Sequence, residues 1–211
     1  MIEIVIPYRN RKNNLEKILP LLRAKMEQSN NPYWISIIEQ DDQDLFNVGK
    51  LLNVGFKICY SEQIQYNGSF IFHPVDCYPV LSCNIPYKIT HRGVIAMMSK
   101  DYNYPKGFIF NAMDFYFMNG YSNDYWGWGG EDWEPERKAA TYELPYVKTF
   151  YEFDRSEDLS GANDETNIPN MNKCFSRSIK DWNRNGLYQT EYTITESRSY
   201  GENTTLFKVK I

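Results

Sequence analysis

Ile2-Glu3-Ile4-Val5-Ile6-Pro7-Tyr8-Arg9-Asn10-Arg11 opens the chain as an apolar, β-branched run, a proline stop and a polar loop with two guanidiniums. Such a run predicts a short buried strand. Outward from it, Leu15, Ile18, Leu19, Leu22 and Met26 recur at helical spacing, with Pro20 expected to kink or shorten that helix. Trp34 to Glu39 reads as a second strand, closed by the acidic turn Gln40 to Asp44. Leu51, Leu52, Gly55, Phe56 and Cys59 suit a second helix, and Ser69 to His73 forms a third strand that runs into Pro74-Val75-Asp76. This β-α-β-α-β start predicts an α/β fold: a parallel sheet with helices packed over its faces. Such sheets bind ligands at the carboxyl ends of their strands.

The second half is less regular. Val94 to Met98 and Phe108 to Phe110 are strand-like, Ala112 to Met118 suits one or two helical turns, and Tyr121 to Gly130 is too rich in Gly and aromatics for a regular element. Glu131 to Ala140 is expected to be helical and Leu144 to Phe153 extended. Asp154 to Lys173, acidic and Asn-rich, is expected to be a mobile surface loop. One more helix is expected over Asn172 to Tyr188, then a hairpin of Thr190 to Thr195 with Leu206 to Lys210. With no repeat and no linker, one domain over residues 1–211 is expected.

Composition narrows the function. Among 211 residues, 27 acidic and 23 basic side chains leave a net charge of -4, which gives no footprint for a nucleic-acid partner. No apolar run approaches the ~20 residues of a membrane span. Met1 stands directly before the first strand, so the expectation is a soluble, cytoplasmic protein without a signal peptide. Cys59, Cys77, Cys83 and Cys174 are irregularly spaced without a CxxC and are expected to be reduced packing residues. With only His73 and His91, a metal must rely on carboxylates, which favours a hard ion such as Mn²⁺ or Mg²⁺. The 17 Tyr, 12 Phe and 5 Trp supply flat surfaces on which bases and sugar rings stack.

The strongest local signal is Tyr125-Trp126-Gly127-Trp128-Gly129-Gly130-Glu131-Asp132. Three glycines between and after two tryptophans permit unusual backbone angles and close approach of a ligand. The acidic pair that follows can be a helix N-terminal cap, but capping alone explains neither tryptophan. Asp76, just past an apolar strand, can hold a divalent cation against a diphosphate, or simply cap a turn. Arg9 and Arg11 can bind phosphate bidentately, or be solvated.

Together these segments resemble the β-1,4-galactosyltransferase family. Its Arg-Asn-Arg loop, its Lys-Leu-Leu-Asn-x-Gly-Phe helix start, its Asp-Val-Asp metal motif and its Trp-Gly-Trp-Gly-Gly-Glu-Asp block match Ile4 to Arg11, Phe46 to Phe56, Phe70 to Pro79 and Asn119 to Asp132, in order. The resemblance covers about residues 2–150 and fades afterwards. It implies a GT-A (Rossmann-like) fold with a central mixed, mostly parallel sheet, residues 1–100 as the nucleotide-sugar-binding half and 101–211 as the acceptor-binding half, and a metal-dependent inverting transfer of a hexose from a UDP-sugar to a hydroxyl of an acceptor glycan. Carried over by residue, Pro7, Tyr8, Arg9 and Arg11 would line the UDP pocket and Phe46 would contact uracil. Val75 and Asp76 fall in the metal motif, Tyr104 and Gly107 at the donor site, and Trp128 at the sugar. Glu131 and Asp132 match the acidic pair, with Asp132 as the base.

Departures accompany the matches. Pro74 stands where the first Asp of the metal motif belongs, Val48 replaces an Arg, and Trp133 and Glu134 replace two aspartates beside the acceptor. The late metal-binding Met-x-x-His aligns at best with Tyr151 and Asp154, so Asp154 is the candidate second ligand. The implied chain is a monomer or part of a longer multidomain protein. Two rivals remain: a glycan- or nucleotide-binding module without turnover, and a retaining or nucleotidyl transferase on a similar sheet.

Overall fold

The computed structural model describes residues 1–60, 68–99, 105–155 and 165–211. The elements are β1 (Ile2–Tyr8), α1 (Lys12–Ser29), β2 (Tyr33–Gln40), α2 (Val48–Cys59), β3 (Ser69–Phe72), β4 (Cys77–Pro79), β5 (Val94–Ser99), β6 (Pro105–Asn111) and α3 (Ala112–Phe117). There follow α4 (Glu134–Thr141), β7 (Tyr146–Tyr151), β8 (Phe153–Arg155), α5 (Asn167–Ser176), α6 (Ile179–Arg184), a 3₁₀ turn (Leu187–Gln189), β9 (Thr193–Ser199) and β10 (Thr204–Lys210).

Eight strands form one sheet in the order β7-β5-β6-β3-β1-β2-β10-β9, while β4 and β8 pair separately. β1 is parallel to β2 and β3, β2 to β10, and β5 to β7. β6 runs antiparallel between β3 and β5, and β9 antiparallel to β10. The sheet is therefore mixed and mostly parallel, as the resemblance implies; the parallel opening β1, β2 and β3 follows its sequence pattern, and the antiparallel β6 and β9 make it mixed.

Strand alternation divides the core into two layers. Ile2, Ile4 and Ile6 pack with Leu15, Ile18, Leu22 and Met26 of α1. Val5 faces the other way, onto Leu51, Val54 and Phe56 of α2 and the aromatic group Phe70, Phe72, Phe110 and Phe115. α2 lies so close to the sheet that a Cβ at Gly55 would sit 2.4 Å from Val5 Cγ1. All four cysteines are free. Among the described residues no helix is long and apolar enough to cross a membrane.

The structure corrects four sequence expectations. Pro20 does not shorten α1, because it lies on the exposed side, where water can satisfy the carbonyl it leaves unbonded. Glu131 to Trp133 form a turn, and α4 starts only at Glu134, ahead of Pro135. The expected loop from Asp154 to Lys173 is not irregular throughout: Asp154 belongs to β8, and α5 begins at Asn167. Its middle, residues 156–164, lies outside the described residues. The single helix expected after Asn172 is broken in two, because Ser178 and Asp181 form a capping box that starts α6.

Candidate active site

Pro7 to Arg11 lie at and beyond the end of β1, and Val75 and Asp76 follow the end of β3, its parallel neighbour. Beyond β1, the Arg9 guanidinium donates to the Asp44 carbonyl at 2.6 Å and lies 5.2 Å from the Phe46 ring centroid. Pro7 and Tyr8 are buried beneath them, and Arg11 caps α1. Phe46 is joined to the Gly-Trp segment directly, since its carbonyl accepts the Gly127 N–H at 2.9 Å.

The glycines of that segment are there for conformation. Gly127, Gly129 and Gly130 have φ of 81°, 93° and 96°, the left-handed region that side chains disfavour. A Cβ on Gly127 would also lie 2.4 Å from Thr166 Oγ1. The Thr166 hydroxyl accepts the Trp128 N–H at 2.6 Å and donates to the Trp128 carbonyl at 3.2 Å. Asn170 Nδ2 donates to the carbonyls of Trp126 at 2.9 Å and Trp128 at 3.1 Å. The start of α5 thus clasps the loop through its backbone.

Behind the loop, Glu134 is fully buried. It accepts from Ser122 N at 2.8 Å and from the Tyr125 hydroxyl at 3.3 Å, with Lys138 Nζ 4.0 Å away. Glu134, which stands in place of a family aspartate, thus buttresses the loop from inside. Trp133 is partly exposed and packs on Phe175, with ring centroids 6.2 Å apart.

Glu131 and Asp132 occupy the turn between loop and helix. Glu131 Oε2 is buried and, among the described residues, has no hydrogen-bond partner, an uncommon state that calls for a ligand or a proton. Burial first, then the neighbouring Asp132 charge and Glu134, push the Glu131 carboxyl well up. Burial also raises Asp132, the Lys106 ammonium opposes that shift, and Asp76 adds to it. Asp76 and Asp132 are thus within electrostatic reach of each other, with Lys106 acting on the same carboxylate. Sequence reasoning missed Lys106, and a lysine opening an otherwise apolar strand was the available signal. It also missed Thr166 and Asn170, which fell inside the expected loop.

Asp76 is half-buried in the turn between β3 and β4. Val75 is buried beside it, and Gly107 brings β6 against this turn: a Cβ there would meet Phe72 O at 2.6 Å and Pro74 Cδ at 3.3 Å. His73 is buried, its Nδ1 2.9 Å from Pro74 O, and burial pushes it down to about 4, so it is a neutral core residue. Asp154 is exposed on β8, paired with Tyr78. Among the described residues no three His, Cys, Asp or Glu side chains gather around a cation position. The residues present therefore fit a hard cation held by the Asp76 carboxylate and by oxygens of a ligand, not a closed protein cage. Tyr104 lies outside the described residues.

The chain is similar to known glycosyltransferases. Residues 1–88 match the N-terminal region of glycosyl transferase group 7, and residues 91–145 match the N-terminal domain of galactosyltransferase. β-1,4-Galactosyltransferase 4 of Homo sapiens is 30% identical over 208 residues, covering 92% of this chain and 58% of its own. β-1,4-Galactosyltransferase 1 of Bos taurus is 26% identical over 209 residues, covering 94% and 52%. The chain thus spans little more than half the length of these relatives. Among solved structures, a mutant Drosophila β-1,4-galactosyltransferase 7 in complex with manganese, UDP-Gal and xylobiose superposes with a TM-score of 0.83 at 21% identity, covering 100% of this chain and 93% of that one. A Pyrobaculum calidifontis mannosyltransferase in complex with GDP-Man and Mn²⁺ gives 0.53 at 8% identity, covering 76% and 58%. The fold is GT-A.

Proposed function

The chain belongs to the glycosyl transferase group 7 family, that of the β-1,4-galactosyltransferases, and from that premise we propose that it is an inverting glycosyltransferase. It moves a hexose from a UDP-sugar to a hydroxyl of an acceptor glycan. The observation that carries the proposal is the half-buried acidic turn: Glu131 has a buried oxygen without a partner among the described residues, Asp132 is next to it, and the Asp76 charge acts on Asp132.

Each residue has a distinct task. Asp132 removes the proton from the attacking acceptor hydroxyl, and the raised affinity of its carboxylate for protons suits a general base. Glu131 accepts a second hydrogen bond from the acceptor and so fixes its orientation. Trp128, held by its backbone to Thr166, is an apolar wall for the sugars. Arg9 and Phe46 receive the uridine, with Pro7, Tyr8 and Arg11 around it, while Val75, Tyr104 and Gly107 shape the donor side. Asp76, with Asp154 as a candidate partner, binds Mn²⁺ or Mg²⁺. When bound, the cation would supply Lewis-acid compensation for the charge of the leaving diphosphate. Residues 1–100 form the nucleotide half and residues 101–211 the acceptor half.

A second reading, a binding module without turnover, draws on the short donor set for a cation. One experiment separates the two. UDP-sugars are incubated with Mn²⁺ and a panel of acceptor glycans, and the anomeric configuration of any product is read by NMR. An inverted glycoside supports the proposal. A retained configuration refutes the mechanism, and UDP binding without any transfer leaves the module.

A further inference from the structure

We propose that Lys106 is a donor-binding residue whose ammonium holds the diphosphate of the nucleotide-sugar, beside whatever cation Asp76 carries; this rests on the transferase reading above. Lys106 lies where β6 is irregular. β5 and β6 are paired at Ala96–Phe108 and again at Met98–Pro105, so two steps along β5 correspond to three along β6. The extra residue is a bulge at Lys106–Gly107, a device that re-aims a side chain out of the strand's alternation. Gly107 then presses the backbone of β6 onto Phe72 O and Pro74 Cδ. That places Lys106 beside the turn that carries Asp76.

Its chemistry suits the position. Lys106 is 6% exposed, and a buried ammonium is costly unless opposite charge faces it. Its charge acts on Asp132, as does that of Asp76, so the proposed base is within electrostatic reach of both. An arriving diphosphate brings more negative charge than one carboxylate and one loosely held cation balance. Arg9 is turned to Asp44 and Phe46 instead. Lys106 directly precedes Gly107, whose backbone lies against Pro74, the position at which this chain lacks a carboxylate. A cation built into the chain there takes over part of the charge balance that the missing ligand would have secured through a metal.

The test is calorimetric titration of the full chain with UDP and with uridine, each in Mn²⁺ and in EDTA. Wild type is expected to bind UDP measurably in EDTA. Lys106→Met is expected to lose roughly ten- to a hundredfold in UDP affinity in both buffers, the value of a hydrogen bond to a charged group, with uridine affinity unchanged. Lys106→Arg is expected to recover most of the loss. If Lys106→Met does not fold, Lys106→Gln carries the same comparison. Wild-type UDP affinity in the neutral variant overturns the proposal and leaves Lys106 as a structural counter-ion of Asp132. Equal losses for UDP and uridine overturn it as well. A wild-type chain that binds UDP in neither buffer refutes the transferase reading itself.

Discussion

Thr166→Val tests whether the clasp of α5 on the Gly-Trp loop is functional. Valine keeps the shape and removes the hydroxyl that accepts from Trp128 N at 2.6 Å and donates to Trp128 O at 3.2 Å. The carbonyl keeps its bond from Asn170 at 3.1 Å, so the net loss is one N–H left unpaired. That costs about 1–3 kcal/mol. In a chain of this size each kcal/mol moves the melting point by roughly 2–4 °C, so a fall of several degrees is expected in calorimetry. Function is expected to suffer more. Trp128 directly precedes Gly129, Gly130 and the acidic pair, and a misplacement of about 1 Å at reacting groups can cost ~100-fold. The kcat for sugar transfer is therefore expected to fall roughly 10- to 100-fold, while donor KM changes little, because Arg9 and Asp76 lie on other segments. Thr166→Ser keeps the hydroxyl and restores both. A valine variant with wild-type kcat, or a serine variant as impaired as valine, refutes the reasoning.

Other perturbations test separate parts of the account. Asp76→Ala is expected to abolish the gain in UDP affinity that Mn²⁺ gives in calorimetry; an unchanged gain removes Asp76 from the cation site. Glu3, buried against Ser36 at 2.7 Å, is pushed up by burial from 4.5 to about 7. A raised carboxyl contributes stability that is complete below its unfolded value and is lost as pH rises through about 7. Glu3→Gln is therefore expected to be more stable than wild type near pH 8 by up to ~3 kcal/mol, and to flatten the dependence between about pH 5 and pH 8. Urea unfolding at the two pH values checks this, and parallel curves for both proteins contradict it. Because burial raises both acids of the turn, transfer is expected to fall on acidification from a pH above the ordinary aspartate range; a limb at the ordinary value means the base is solvated.

Much of the fold was legible because its first strands are locally decided. Ile2 to Ile6, the helical spacing from Leu15 to Met26, and Ser69 to Phe72 each carry one period, and the sheet follows from their order. What failed depended on contacts distant in sequence. α5 starts at Asn167 because Thr166 and Asn170 hold backbone groups about 40 residues earlier, whereas its own composition reads as a polar loop. Glu134 aligns with an aspartate beside the family's acceptor, yet Ser122 and Tyr125 draw it inside. At the site, the glycines and the acidic pair announced themselves through composition. Lys106 did not, because a bulge is a property of pairing and a single strand's sequence does not display it.

The central claim is that Asp132 is the general base, and its most direct test is transfer by Asp132→Asn beside Glu131→Gln. Asparagine keeps the size and most hydrogen bonds but cannot take the proton, and a positioned base contributes ~10²–10⁴-fold. A fall of that order in kcat is predicted for Asp132→Asn, with UDP-sugar affinity by calorimetry nearly unchanged. Glu131→Gln is predicted to lose less, since it positions the acceptor without accepting the proton. Near wild-type transfer by Asp132→Asn would contradict the account and leave a protein that binds a nucleotide-sugar by some of these residues but does not use this turn for chemistry.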